Sequence, residues 1–179
     1  TREFPRVLLA DEVGLGKTIE AGLILHRMLL EGRVASALVV VPDQLLFQWF
    51  IEMRRKFNLD FSIVEKLEIL PQEDDQEAAE TTDMFSQLTL VPQSFLTEDN
   101  QNLEKLLEQH WDVLVVDEAH HLTWSAGKVG EDFQAIEKLS AVTPALILLT
   151  ATPLQLGMQG HFERLKLLDP HRYVNLEKY

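Results

Sequence analysis

The sequence contains no cysteine. That excludes a disulfide framework, a thiolate metal site and a thiol nucleophile, and it suits a reducing compartment. Basic side chains are scarce as well. Sixteen Lys and Arg stand against 29 Asp and Glu, a formal net charge of −13, which excludes a generically basic protein that coats nucleic acid. Long apolar runs are missing too. The longest uncharged stretch, Ser140 to Gly160, contains Pro144, Pro153, three threonines and two glutamines, so it does not read as a membrane span. No basic segment leads into an apolar one near the start, and no signal peptide is expected. Position 1 is Thr, and a buried strand is already expected at Val7–Ala10. The chain is therefore expected to begin inside a larger protein of the cytoplasm.

What is present is a core. Apolar residues make up 46% of 179 positions, enough to fill one ordinary domain, and a single unit over 1–179 is expected. The acidity is local. Residues 1–64 are neutral, residues 65–108 carry −10 and residues 109–179 carry −3. The 65–87 stretch lacks periodicity and is expected to be an irregular acidic insert, a solvated loop unless it meets a basic partner surface.

Apolar runs alternate with helical patterns. Strands are expected at Val7–Ala10, Ala37–Val41, Phe61–Val64, Leu88–Val91, Val113–Val116 and Leu146–Leu149. Helices are expected over Lys17–Glu31 and Gln44–Phe57, the latter with Leu46, Trp49, Phe50 and Met53 on one face. Leu103, Leu106, Leu107 and His110 predict one further helix face. Continuous apolar strands alternating with helices predict an α/β fold with a mostly parallel sheet flanked on both sides. Ligands of such sheets bind beyond the carboxyl ends of the strands, where the polar motifs of this chain fall.

The first strand runs into Asp11-Glu12-Val13-Gly14-Leu15-Gly16-Lys17-Thr18. Glycines there allow close backbone approach, and the amides at a helix N-terminus form an anion cradle. Lys17 would meet β- and γ-phosphates, and the Thr18 hydroxyl would ligate Mg²⁺. Asp11 stands where the general phosphate-loop pattern has glycine. Behind Val113–Val116 come Asp117-Glu118-Ala119-His120-His121. An Asp at a strand end can hold Mg²⁺, and the adjacent Glu can orient and deprotonate a water, the two roles that γ-phosphoryl transfer from ATP needs. His120 is expected to hydrogen-bond between the acidic motif and its neighbours, and His121 either to do so or to pack. Adjacent histidines without cysteine make a poor zinc site. Thr150 and Thr152, within Thr150-Ala151-Thr152-Pro153, could bond to the acidic motif and sense the nucleotide state. Arg54-Arg55-Lys56 is the one basic cluster, read either as a helix end or as a phosphate contact. Trp49 is expected in the core rather than as a stacking platform.

Motifs of these kinds in this order resemble superfamily-two helicase-like ATPases. The stretch from Asp11 to Ala21, with Asp in the first glycine position, resembles the Swi/Snf class. So do Pro42, Leu45, Leu46, Trp49 and Glu52, the Asp117–His120 box, and Thr150 to Gln155. The stretch from Leu122 to Ser125 and the segments Gln155–Met158, His161-Phe162 and Leu167–Pro170 are similar to its bacterial, RNA polymerase-associated branch. The resemblance implies a RecA-like, P-loop lobe of an ATP-driven double-stranded-DNA translocase that acts on RNA polymerase during transcription and recycling. RNA or a hybrid stays open as the track. It assigns Lys17 and Thr18 to phosphate and Mg²⁺, Asp117 to the metal, Glu118 to the base, and Thr150 and Thr152 to coupling, with His120 beside them.

Enzymes of this class have two RecA-like lobes, and the second supplies transition-state arginines. The eight arginines here include no Gly-Arg-x-x-Arg motif. A monomeric half-site with little hydrolysis of its own is therefore expected. Two other readings remain at this point, a P-loop metabolic NTPase or kinase and a non-catalytic interaction module. The joint presence of Lys17, Thr18, Asp117 and Glu118 speaks against the second.

Overall fold

The structure is a computed structural model, and it describes residues 4–10, 16–66, 85–122, 124–125, 128–151 and 157–173. Six strands form one sheet: β1 (Arg6–Ala10), β2 (Ala37–Val41), β3 (Ser62–Ile63), β4 (Leu88–Pro92), β5 (Val113–Val116) and β8 (Ala145–Thr150). Their order is β1-β8-β5-β2-β4-β3, and every neighbouring pair is parallel. A two-stranded antiparallel ribbon, β6 (Trp124–Ser125) with β7 (Lys128–Val129), stands apart.

The central strands are apolar at every position because both faces are covered. Strand alternation divides the side chains between two cores. Val39, Val41, Val113, Val115, Ile147 and Leu149 point to one face. That face is covered by α1 (Lys17–Leu30) and α2 (Leu46–Phe57), which bring Ala21, Leu25, Met28, Leu46, Trp49 and Met53. Leu38, Val40, Leu114, Val116, Leu146 and Leu148 point to the other. There α3 (Phe95–Glu98), α4 (Asn100–Glu108), α5 (Glu131–Val142) and α6 (Gly157–Leu168) supply Phe95, Leu106, Phe133, Ile136, Leu139 and Leu167. The result is the three-layer α/β arrangement with a parallel sheet that the alternating pattern predicts.

Several details differ from the sequence reading. The second helix does not start at Gln44. Asp43–Leu45 form a 3₁₀ turn, with the Leu45 N–H donating to the Pro42 carbonyl at 2.8 Å. Pro42 fixes its own φ and leaves a tighter first turn. The helix stops at Asn58, whose left-handed conformation (φ 54°) and N–H bond to Arg54 close the last turn. Phe50 is only half-buried, and Phe57 takes its place on the buried face. The helix carrying Leu103, Leu106 and Leu107 ends at Glu108, so His110 lies beyond it. The edge strand is shorter than Phe61–Val64 because only Ser62 and Ile63 pair with β4. Most of the expected acidic insert, 67–84, lies outside the described residues. Among the described residues no helix is long and apolar enough to cross a membrane.

At the sheet's opposite edge from the motifs, Arg6 fastens β1 to the last helices. Its guanidinium donates to the carbonyls of Leu168 (2.8 Å), Leu167 (2.7 Å), Thr143 (2.8 Å) and Ser140 (3.2 Å). α1 meets α2 at Gly22, where a Cβ would lie 2.3 Å from the Phe57 ring.

Candidate active site

All six sheet strands are parallel, so the ends of β1, β5 and β8 open onto one edge. The phosphate-loop residues Asp11 to Leu15, and Thr152, lie outside the described residues. The rest of the sequence-predicted set is described.

Gly16 sits at the N-terminus of α1 with φ 93°. A Cβ would have room, the nearest atom lying 3.9 Å away. The dihedral, not crowding, is therefore what requires glycine. Having no side chain, Gly16 cannot cap the helix, so the first amides of α1 face the strand ends without a side-chain acceptor from the cap position. Lys17 is 8% exposed and Thr18 is half-buried.

Asp117 follows β5, and its N–H continues the ladder to the Val40 carbonyl at 2.9 Å. Alternation therefore places its side chain with Val113 and Val115, on the face covered by α1 and α2. Lys17 and Trp49 belong to that same face. The Trp49 indole N–H donates to Asp117 Oδ2 at 2.7 Å, and the Glu118 N–H donates to Oδ1 at 2.8 Å. Burial pushes the Asp117 carboxyl above its ordinary value, against the pull of these two donors and of nearby Lys17. A carboxylate so desolvated is stabilised by a cation beside it.

Glu118 is one of two described non-glycine residues with positive φ, at φ 47° and ψ 45°. Such a backbone costs on the order of 1–3 kcal/mol and persists only where neighbours hold it. The following 3₁₀ turn, Ala119–His121, supplies the hold. The His121 N–H donates to the Glu118 carbonyl at 2.8 Å. From α6, Arg164 Nε donates to the Ala119 carbonyl at 3.0 Å and Nη2 to that of His120 at 3.5 Å. Arg164 is 2% exposed, and burial lowers its pKa.

The strained turn presents Glu118 Oε2 beside His120 Nδ1 at 3.0 Å. Both atoms are buried, and among the described residues neither makes a well-directed hydrogen bond. Burial, with His121 and Arg164 nearby, lowers the His120 pKa. The Glu118 carboxylate is thus held against the His120 ring by this contact. Thr150 ends β8, fully buried and opposite Ala10 of β1. Its position in the alternation is that of Leu146 and Leu148, on the face away from Asp117.

These residues fit Mg²⁺ held jointly with a phosphate. Among the described residues no cluster of three His, Asp or Glu could hold a metal by protein ligands alone. Mg²⁺ bound through one or two protein oxygens plus phosphate and water does not need one. Asp117 and Thr18 are the candidate protein ligands.

The contacts of two residues with the acidic motif were not legible: Trp49, read as core and as part of a Swi/Snf-like motif, and Arg164. The 3.6-residue periodicity of α2 marks Trp49 as core, and it is 1% exposed. The missed signal is that a buried indole N–H requires an acceptor. Arg164 lies between Glu163 and Leu165 in α6, and nothing in the sequence points to the Ala119 carbonyl. The basic cluster forms the last turn of α2, with Arg54 paired to Asp60 at 3.2 Å and Lys56 to Glu52 at 3.5 Å, both exposed.

The SNF2-related domain matches residues 2–179, and the chain belongs to that family. The RNA polymerase-associated protein RapA of Pseudomonas aeruginosa (strain LESB58) is 50% identical over 178 residues, and that of Vibrio parahaemolyticus is 49% identical over the same length. Each alignment covers 99% of this chain but 18% of the relative, so the chain spans about a fifth of those proteins. In fold it is similar to the Sulfolobus solfataricus SWI2/SNF2 ATPase core solved with double-stranded DNA. The TM-score is 0.70 and the identity 23%, over 96% of this chain and 33% of that one. The core domain without DNA matches equally well, over 99% of this chain.

Proposed function

We propose that residues 1–179 form one RecA-like ATP-binding lobe, with 65–87 as an acidic insert, of an ATP-dependent double-stranded-DNA translocase that works with RNA polymerase. The carrying observation is the meeting, at the carboxyl ends of the strands, of Lys17 at a helix N-terminus with a buried Asp117 and a strained Glu118. Family membership supports ATP as the nucleotide. The names of the relatives support polymerase and DNA as partners.

In this reading Asp11 to Gly16 and the first amides of α1 cradle the phosphates, and Lys17 meets the β- and γ-phosphates. Thr18 and Asp117 would hold Mg²⁺, which when bound would supply charge neutralisation on the phosphates. Glu118 accepts the proton of the attacking water on its carboxylate, and His120 Nδ1, 3.0 Å from Oε2, fixes the orientation of that carboxylate. Thr150 and Thr152 relay the nucleotide state to the nucleic-acid surface. Arg6 and Arg164 are committed to backbone carbonyls. Transition-state arginines are expected from a second lobe, as in the class the sequence resembles, and such residues are worth about 10³–10⁵ in rate.

The adjoining groove, about 800 Å³, carries Asp43, Glu131 and Asp132. Its acidity makes it a poor phosphate surface, so the track is expected on other parts of the protein. The test is ATP turnover of the full-length protein with and without duplex DNA. Stimulated turnover that Lys17→Ala abolishes is expected. Turnover stimulated by a small-molecule acceptor instead of DNA would favour a kinase. No affinity for Mg-ATP would favour an interaction module.

A further inference from the structure

We infer that Trp49 is a positioning residue: its indole N–H pins Oδ2 of Asp117 and so fixes how that carboxylate is offered to the nucleotide's divalent cation. The inference rests on the ATP-site reading given above and adds to it a residue outside the phosphate loop and the acidic motif.

A carboxylate at a strand end can turn about its Cβ–Cγ bond, and its two oxygens are equivalent until something distinguishes them. Here two donors do so. The Glu118 N–H on Oδ1 comes from the next residue and moves with the same turn of chain. The Trp49 N–H on Oδ2 comes from 68 residues away, on a different helix, and is the anchor that is independent of that turn. An indole held at 1% exposure between α2 and the sheet cannot swing to follow a rotated carboxylate. Each oxygen gives up one lone-pair direction to its donor and keeps one. The orientation left over is therefore a single one rather than a range.

Mg²⁺ makes that orientation matter. It requires near-octahedral geometry and short ligand distances, whereas Ca²⁺ tolerates irregular coordination. Groups that hold a metal ligand in place typically affect metal affinity by about 10–100-fold when removed. The same link ties α2 to the metal ligand. α2 begins at the carboxyl end of β2, beside the Asp43 turn, and packs against α1 at Gly22. A shift of α2 along its axis would move the Trp49 donor relative to Asp117.

The experiment replaces Trp49 in the purified protein in two ways. Trp49→Phe removes the N–H and part of the ring. Benzothienylalanine at position 49 keeps the bicyclic shape and puts sulfur where the N–H was. ADP binding is titrated with Mg²⁺, with Ca²⁺ and with neither, and the indole ¹⁵N–¹H resonances are recorded in parallel. The expected result for benzothienylalanine is about a 10–100-fold rise in the Mg²⁺ concentration for half-maximal binding. Metal-free ADP affinity should stay within about twofold, and the shift with Ca²⁺ should be smaller. In the unsubstituted protein the Trp49 indole resonance should lie downfield, as expected for a donor to a carboxylate, and move when Asp117 is replaced by Asn.

Wild-type Mg²⁺ dependence in the benzothienylalanine protein overturns the inference, as does a Trp49 resonance indifferent to Asp117→Asn. Should Trp49→Phe fail to fold, the isosteric variant decides alone. Lys17→Ala separates the two levels. If it leaves ADP binding intact, the nucleotide-site reading fails. If it abolishes binding while position 49 proves neutral, only the Trp49 role fails.

Discussion

Arg164→Met tests whether α6 holds the acidic motif in its strained shape. The substitution keeps an apolar stem and removes the guanidinium. Its main loss is the bond from Nε to the Ala119 carbonyl at 3.0 Å. A bond from a charged donor is worth about 1.5–3 kcal/mol. The contact to the His120 carbonyl, at 3.5 Å, stands at the limit of hydrogen bonding and adds little. Against this stands relief from burying a charge, since desolvation alone lowers the Arg164 pKa. Replacing buried charge by apolar atoms often recovers part of such a loss. The Ala119 carbonyl then keeps only the long bond from the Leu122 N–H at 3.4 Å, so the loss wins, by about 1–2 kcal/mol. Arg164→Ala also leaves a cavity and should lose about 3–5 kcal/mol. Urea unfolding followed by tryptophan fluorescence, compared at equal slope, reads both values. Without the clamp Glu118 can relax from its left-handed backbone, so turnover should fall at least about tenfold, equivalent to about 1.4 kcal/mol of barrier. Nucleotide affinity, which depends on Lys17, should hardly change. Arg164→Met within about 0.3 kcal/mol of the parent protein and equally active would refute the clamp.

Three further outcomes follow from the packing and the titration of the site. Gly22→Ala gains about 1 kcal/mol of helix propensity but drives a methyl to 2.3 Å from Phe57 Cε2 and 2.9 Å from Met53 Cε. Overpacking costs about 1–3 kcal/mol, so a lower melting temperature is expected, and Phe57→Leu should restore part of it. Asp112 Oδ2 accepts the N–H groups of Ala35 at 2.6 Å and Ser36 at 3.1 Å, joining the turn before β2 to the start of β5. Asp112→Ala should lower the urea midpoint by an amount equivalent to about 1–2 kcal/mol. For Asp117 the folded pKa is raised by burial, so between the unfolded and folded values the native state holds more protons than the unfolded chain. Stability relative to Asp117→Asn should therefore fall as pH rises through that window from about 4 upward, then level off. An increase over that range would contradict the burial assignment.

The parallel sheet was legible because its central strands β2 and β5 are short, continuous and wholly apolar. Ala37–Val41 and Val113–Val116 have in the structure the bounds that their composition predicts. α5 and α6 were not read as helices. The buried Phe133, Ala135, Ile136, Leu139 and Ser140 of α5 mix small and polar residues into the stripe. α6 carries two glycines among its first four residues, Gly157 and Gly160. At the site, Lys17, Asp117 and Glu118 were visible as motifs because their chemistry depends on neighbours in sequence. Trp49 and Arg164 act through partners 68 and 45 residues away, and local spacing carries no trace of such pairs. The left-handed Glu118 was invisible for a related reason: besides the His121 N–H of its own turn, the donor that holds the Ala119 and His120 carbonyls comes from α6.

The place of β1 at the rim of the sheet has a consequence for how the chain is born. β1 touches the sheet only through β8, about 140 residues later, and Arg6 is secured by carbonyls as late as Leu168. At about 5–20 residues per second, synthesis leaves the first strand waiting on the order of ten seconds for its partner. β2, β4 and β5 can pair meanwhile, and with them the Asp117 end of the site. Lys17 and α1, which follow β1 in the chain, then wait longer for their place on the sheet than Asp117 does. Pulse-labelled hydrogen exchange during refolding should find the amides of Val7 to Ala10 protected after those of Val39 and Val115.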